Sequence, residues 1–293
     1  MEGLFNWLGS WLLPTGIVVI MFSMGLQITI AQIVAAADRH WLMVRALLAN
    51  IVLLPLLALA VSRISGMPEA IAIGFIVASA APGASLSPKL AEISHASIPF
   101  SLGLMFVMAL LSTVTAPIMT RLLLPTVTDV QFEPGQIVGI LVFFQMLPLL
   151  IGLAVHHWWP VRAGRLRRPS ILLANVLFCA VVAFYLIRDF AALRTLPLPS
   201  LAAMFFMTIA SIIIGWLLGG PDRATRQSLA LGTSVEFTGL ALLIITATFP
   251  DSAAAIAVVA FALIMIVTNT ALALYWNRQP TFQPLEDTIT SHL

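Results

Sequence analysis

Apolar runs long enough to cross a bilayer follow one another along almost the entire chain, divided by short stretches of arginine, proline and glycine. Each run approaches the roughly 20 residues that an α-helix needs to span the hydrocarbon layer. Hydrophobic residues fill 60% of the 293 positions and charged residues 9%, against about 25% charge in a soluble domain. A soluble core has no room for that excess. The chain therefore reads as one all-α polytopic membrane domain over residues 1–293.

Charged residues and Pro/Gly punctuation divide the chain into nine expected spans. They lie near 12–33, 42–62, 69–94, 97–123, 135–156, 169–188, 198–219, 226–249 and 252–276. Only Glu2, and no basic residue, precedes the first run, so the first helix is expected to be retained and not cleaved as a signal peptide. The single cysteine, Cys179, falls inside an apolar run and is expected to be a packing residue. It rules out an internal disulfide and a cysteine-rich metal site.

Nine spans sort the fourteen Lys and Arg residues into two unequal sets. Arg39, Arg45, Lys89, Arg162, Arg165, Arg167, Arg168, Arg223, Arg226 and Arg278 fall on one side, and Arg63, Arg121, Arg188 and Arg194 on the other. Basic loops resist translocation, so the larger set is expected to be cytoplasmic, with the amino terminus outside and the carboxyl terminus inside. The densest stretch, Arg162 to Arg168, reads as a topology anchor near anionic headgroups. These loops account for the net charge of +2, and no nucleic-acid signal accompanies it. The bilayer and a small molecule are the expected partners, and nothing in the sequence sets an oligomeric state.

Two spans are unlike the rest. The third holds Ala81-Pro82-Gly83-Ala84-Ser85-Leu86-Ser87-Pro88-Lys89, which cannot form one continuous helix. The eighth holds Gly232-Thr233-Ser234-Val235-Glu236-Phe237-Thr238-Gly239, two glycines around small polar residues and a carboxyl group. Unwound backbone at membrane depth survives only where protein or a watery cavity satisfies it. Interrupted helices at matching places in two halves point to an inverted-repeat transporter that binds solute and ions at the breaks. The two spans stand five apart, so spans five to nine would form one repeat. Spans one to four would form the other, lacking its first helix. Both breaks are expected to cross near the bilayer midplane.

With those residues in view, the sequence resembles the bile acid:sodium symporter family. Residues Gly16 to Leu26 contain Met-Phe-Ser-Met-Gly-Leu and resemble the family's Met-Phe-x-Met-Gly-Leu signature. Ala81 to Ser87 is similar to its Pro-Gly-Gly-x-x-Ser-Asn break. Ser228 to Leu242, SLALGTSVEFTGLAL, aligns without gaps to a break of the TIAIEVGMQNSGLAV type, and Tyr275-Trp276 resembles the close of its last helix. The resemblance runs from about residue 12 to 277. It implies nine or ten helices, with two crossed broken helices in a core domain packed on a smaller panel. The core would be about 42–124 and 198–277, the panel about 12–33 and 135–190. Family members use sodium gradients to import organic anions such as bile acids, pantoate or pyruvate.

Several positions depart from that pattern. The family glutamate that helps bind both sodium ions falls on Gly232, and the asparagine after the break serine falls on Pro88. The resemblance therefore implies that the first sodium site has lost its main ligands. The asparagine near the substrate falls on Phe237, which makes that wall apolar. One glutamine of the second sodium site falls on Glu236 and another on Asn50, five residues before Pro55. A cation, sodium foremost, could still be held at Asn50 and Glu236.

Glu236 lies about ten residues into its span, roughly 15 Å deep at 1.5 Å per residue. A charge there costs on the order of 2.5–3.5 kcal/mol to insert, so such residues face a cavity or a partner. The structural alternative is a neutral carboxylic acid tying down the broken backbone. Lys89 has two readings. A continuous helix from Glu69 leaves it at the cytoplasmic end, whereas a break at Pro82 brings its ammonium within reach of Glu236 as a built-in cation.

Gly83, Ala84, Ser85, Ser87, Phe237 and Thr238 are the candidate solute-binding residues at the breaks, with Thr233 and Ser234 as candidates for the ion. Hydroxyl residues of this kind also serve as close-packing contacts between membrane helices. Gln27 on span one and Asn269 on span nine are intramembrane amides, and they complete the solute set. His156 and His157 precede Trp158-Trp159 at the end of span five and read as an interfacial belt.

The expected function is secondary active transport of a small organic solute, an organic anion by the family resemblance, through alternating access. Coupling stays open among one sodium, a proton carried by Glu236, and uncoupled exchange. An intramembrane enzyme is not expected, since HExxH and paired intramembrane aspartates are lacking and Ser87 near Lys89 is only a formal Ser-Lys pair. A channel is disfavoured because paired broken helices suit rocking-bundle transport.

Overall fold

A computed structural model describes residues 2–124, 134–249 and 253–279, and every regular element among them is helical. In chain order these are α1 (Glu2–Gly25), α2 (Ile30–Asp38), α3 (His40–Leu48), α4 (Leu54–Ile64), α5 (Glu69–Ser79), α6 (Leu86–Ile93), α7 (Ile98–Leu123), α8 (Pro134–Leu141), α9 (Leu147–Trp158), α10 (Pro160–Arg188), α11 (Phe190–Arg194), α12 (Leu198–Leu218), α13 (Arg223–Ser234), α14 (Thr238–Thr248) and α15 (Ala254–Asn277). The expected start of the ninth span at 252 and the carboxyl end at Leu293 lie outside the described residues.

Seven helices among the described residues are long and apolar enough to cross a membrane, or eight when a bent pair counts as one span. The bent pair is the first expected span. It does not run straight through 12–33: α1 stops at Gly25 and α2 leaves at 79°. Thr29 begins α2 with a capping box, its hydroxyl accepting from the Gln32 amide at 3.2 Å while its own amide donates to Gln32 Oε1 at 2.9 Å. Two orphan donors are thereby satisfied inside an apolar run.

The spans His40–Ile64 and Pro134–Trp158 each carry one widened π turn, Ala49–Leu53 and Val142–Met146. Each ends two residues before a proline, Pro55 or Pro148, which is the second residue of the next helix. A proline ring removes one helical donor and crowds the carbonyl behind it, and a π turn absorbs both. The basic cluster of Arg162 to Arg168 is itself helical, because α10 starts at Pro160, nine residues before the expected span. The Arg162 guanidinium stacks 6.0 Å from the centre of the Trp159 ring.

The third and eighth expected spans are both interrupted. Residues 80–85 separate α5 from α6, and residues 235–237 separate α13 from α14. Pro88 sits in the first turn of α6, where proline is tolerated, and not in the break. Eleven residues make α5 too short to cross alone.

Packing follows small residues, as in membrane bundles. Helix α1 lies against α9 and α10, and Gly25 touches the backbone of Gly152 so closely that an added Cβ would lie 2.9 Å from the Gly152 Cα. Helix α2 turns away to pack along α7. Helix α12 packs on α13, and α15 on α5. Among the seven helices long enough to cross, Arg223–Thr248 is the most enclosed, 89% buried across its apolar window against 17% for α10. Cys179 on α10 is exposed, not a packed thiol.

Candidate functional site

The two breaks meet. Val235 and Phe237 have left helical geometry, and the Phe237 amide donates to the Ala81 carbonyl at 2.7 Å. This bond satisfies two backbone groups that unwinding had orphaned in the interior. Gly83 has φ of +101°, and a Cβ there would stand 2.7 Å from the Ala109 amide nitrogen. Only glycine suits both the left-handed backbone and the contact.

The end of α13 is braced from two sides. Asn269 on α15 donates to the Ser234 carbonyl at 3.3 Å and to the Met265 carbonyl at 2.9 Å, and the Ser234 hydroxyl contacts Asn269 Oδ1 at 2.5 Å. Asn50, in the π turn before α4, donates to the Ala46 carbonyl at 2.8 Å and to the Thr233 hydroxyl at 3.3 Å. These four expected site residues thus brace the end of α13 and do not line the cavity described next. The Ser87 hydroxyl likewise turns back to the Ala84 carbonyl at 3.2 Å. Gly83 is consumed by its contact with α7.

A cavity of about 90 Å³ lies between the crossing, α1 and α10. Seven expected residues line it: Gln27, Ala84, Ser85, Lys89, Glu236, Phe237 and Thr238. The first residues of α6 and α14, Leu86 and Thr238, both lie on its wall. Gln27 donates to the Ser23 carbonyl at 2.9 Å. The Glu236 amide points to the Met265 sulfur at 3.0 Å, while Glu236 Oε2 is buried with no hydrogen-bond partner. Asn50 Oδ1 is also buried and unpartnered.

Lys89 does not pair with Glu236. The ion pair among the described residues is Arg188–Asp189 at 3.0 Å, and the Lys89 ammonium donates to Asn175 Oδ1 on α10. It is half-buried on the cavity wall, not at a loop end. Sequence reasoning missed Asn175, although a lone amide in the run ILLANVLF carries the same signal that singled out Gln27. It also missed Gln145, a buried amide in the second π turn that donates to the Ala109 carbonyl at 2.5 Å and the Ser112 hydroxyl at 2.9 Å. His156 is more than an interfacial residue, since its Nδ1 lies 2.7 Å from the Leu26 carbonyl at the elbow of the first span.

The profile of the Sodium Bile acid symporter family matches residues 14–214. The chain is 22% identical over 280 residues to a probable sodium/metabolite cotransporter, BASS2, of Oryza sativa subsp. japonica chloroplasts. That alignment covers 94% of this chain and 66% of the rice protein, just under two thirds of its length. It is 23% identical over 284 residues to the uncharacterized sodium-dependent transporter YocS of Bacillus subtilis, covering 94% of this chain and 86% of that one. It is 24% identical over 292 residues to a probable sodium/metabolite cotransporter, BASS1, of Arabidopsis thaliana chloroplasts, covering 97% and 71%. The relatives are named as transporters and not as enzymes.

Proposed function

Given that this chain belongs to the sodium bile acid symporter family, we propose that it is a secondary active transporter that moves a small carboxylate-bearing solute by alternating access. The observation that carries the reading is the 2.7 Å bond from Phe237 to Ala81, which joins two broken helices at the edge of a cavity. Helices α6 and α14 both begin on that cavity, so their positive dipole ends favour a carboxylate. The Lys89 ammonium adds a full positive charge on the same wall.

In this reading α5 and α6 together make the third of nine spans, and spans one to four repeat spans six to nine with opposite orientation. The panel is α1 with α8 to α10, the core is α2 to α7 with α12 to α15, and the boundary falls at the 26–29 elbow. The amino terminus faces outward and the carboxyl terminus the cytoplasm.

Coupling uses a cation behind the second break, where Glu236 Oε2 and Asn50 Oδ1 are buried oxygens without partners. Sodium is favoured by the relatives' names. A proton on Glu236 is the second reading, favoured by the substitution of Gly232 and Pro88 for oxygen-bearing residues of the resemblance. Counterflow of labelled carboxylates in proteoliposomes tests transport itself. Uptake with sodium and proton gradients imposed separately tests the ion. Absence of counterflow for every solute in a broad carboxylate set would remove the transporter reading.

A further inference from the structure

An ammonium and a carboxyl group line the cavity and do not satisfy each other. Lys89 and Glu236 both line it, yet the ammonium turns to the neutral Asn175 Oδ1 and the carboxyl keeps a buried oxygen without a partner. Few heavy atoms fit in about 90 Å³. A plain organic anion seated against Lys89 would leave the cavity side of the Glu236 carboxyl without a donor in a mostly apolar enclosure, and a buried acceptor left unpaired opposes binding.

We propose that the solute is a short amino-carboxylate, its carboxylate against Lys89 and its ammonium against the cavity side of Glu236. The inference rests on the cavity being the solute site and narrows the class of solute. Binding the carboxylate replaces the Lys89–Asn175 bond, so Asn175 holds the ammonium in place while the cavity is empty and becomes a specificity residue when it is filled. The ammonium approaches from the cavity, whereas Asn50 and Thr233 do not line it. Solute and coupling cation therefore meet Glu236 from different directions.

The test is thermal stabilisation of the purified full chain by three matched series. These are glycine, 3-aminopropanoate and 4-aminobutanoate; acetate, propanoate and butanoate; and methylamine, ethylamine and propylamine. At least one amino acid should half-stabilise the protein at about one tenth, or less, of the concentration its matched acid and amine require. In Glu236→Gln that amino acid should fall to the level of its matched acid. Equal potency of amino acid and matched acid in the unmutated protein overturns the proposal, and so does stabilisation by none of the nine. Neither result touches the transporter reading, which labelled-carboxylate counterflow decides on its own.

Discussion

The backbone amide of Phe237 donates to the carbonyl of Ala81 across 2.7 Å, tying together two residues 156 positions apart in sequence (237 − 81 = 156). Each belongs to a segment that helix chemistry had already given up, one through Pro82 and Gly83, the other next to the braced end of α13. Unwinding creates the orphan groups, and the crossing satisfies them. The cavity stands beside this joint, so changes that disturb the joint should reach binding.

Gly83→Ala should lower stability by about 1–3 kcal/mol, because it combines a left-handed backbone with a Cβ 2.7 Å from the Ala109 nitrogen. Gly232→Ala is the control. Its Cβ would meet only the side-chain end of Leu104 at 3.1 Å and no backbone, so it should cost less than about 1 kcal/mol. Melting temperatures of the purified variants compare the two, and equal melting would contradict the assignment.

Asn269→Leu removes the donor to the Ser234 carbonyl and leaves that group buried at a helix end. A loss of about 1–2 kcal/mol is expected, given the modest worth of hydrogen bonds between membrane helices. Hydrogen exchange should rise at residues 231–236 before it rises elsewhere, which a uniform loss of packing would not produce.

Glu236→Gln should abolish the dependence of uptake on the coupling cation, whether sodium or proton, since it removes the buried carboxyl behind the crossing. Lys89→Ala should weaken uptake at least about tenfold, the scale of losing one charged partner of a ligand. Initial rates in vesicles, with each gradient imposed alone, measure both. Steep dependence on two or more sodium ions that persists in Glu236→Gln would rule out this account of coupling.

A reporter enzyme fused after Leu293 should be active only on the cytoplasmic side, as ten of the fourteen basic residues lie on that side of the proposed topology. Activity outside the membrane would invert the proposed orientation.

The membrane class, both interrupted spans and the family were legible in the sequence alone. Apolar length, proline and glycine act locally, and the local chemistry at residues 81–83 and 232–239 cannot support an unbroken buried helix. The elbow at 26–29 was not read from the sequence: the Thr29 and Gln32 capping box marks it, but apolar residues on both sides made 12–33 look like one span. Other relationships depend on which helix faces align, and a chain read in order contains no such information. Lys89 could equally have met solvent, Glu236 or α10, and only the fold that sets α6 and α10 around one cavity brought Asn175 to it. The same holds for Asn50 and Thr233, which lie 183 residues apart and meet at 3.3 Å. Tertiary structure also divided the candidates into those that line the cavity and those that brace its walls. That division follows from side-chain direction on crossing helices, which their spacing along the chain leaves undetermined.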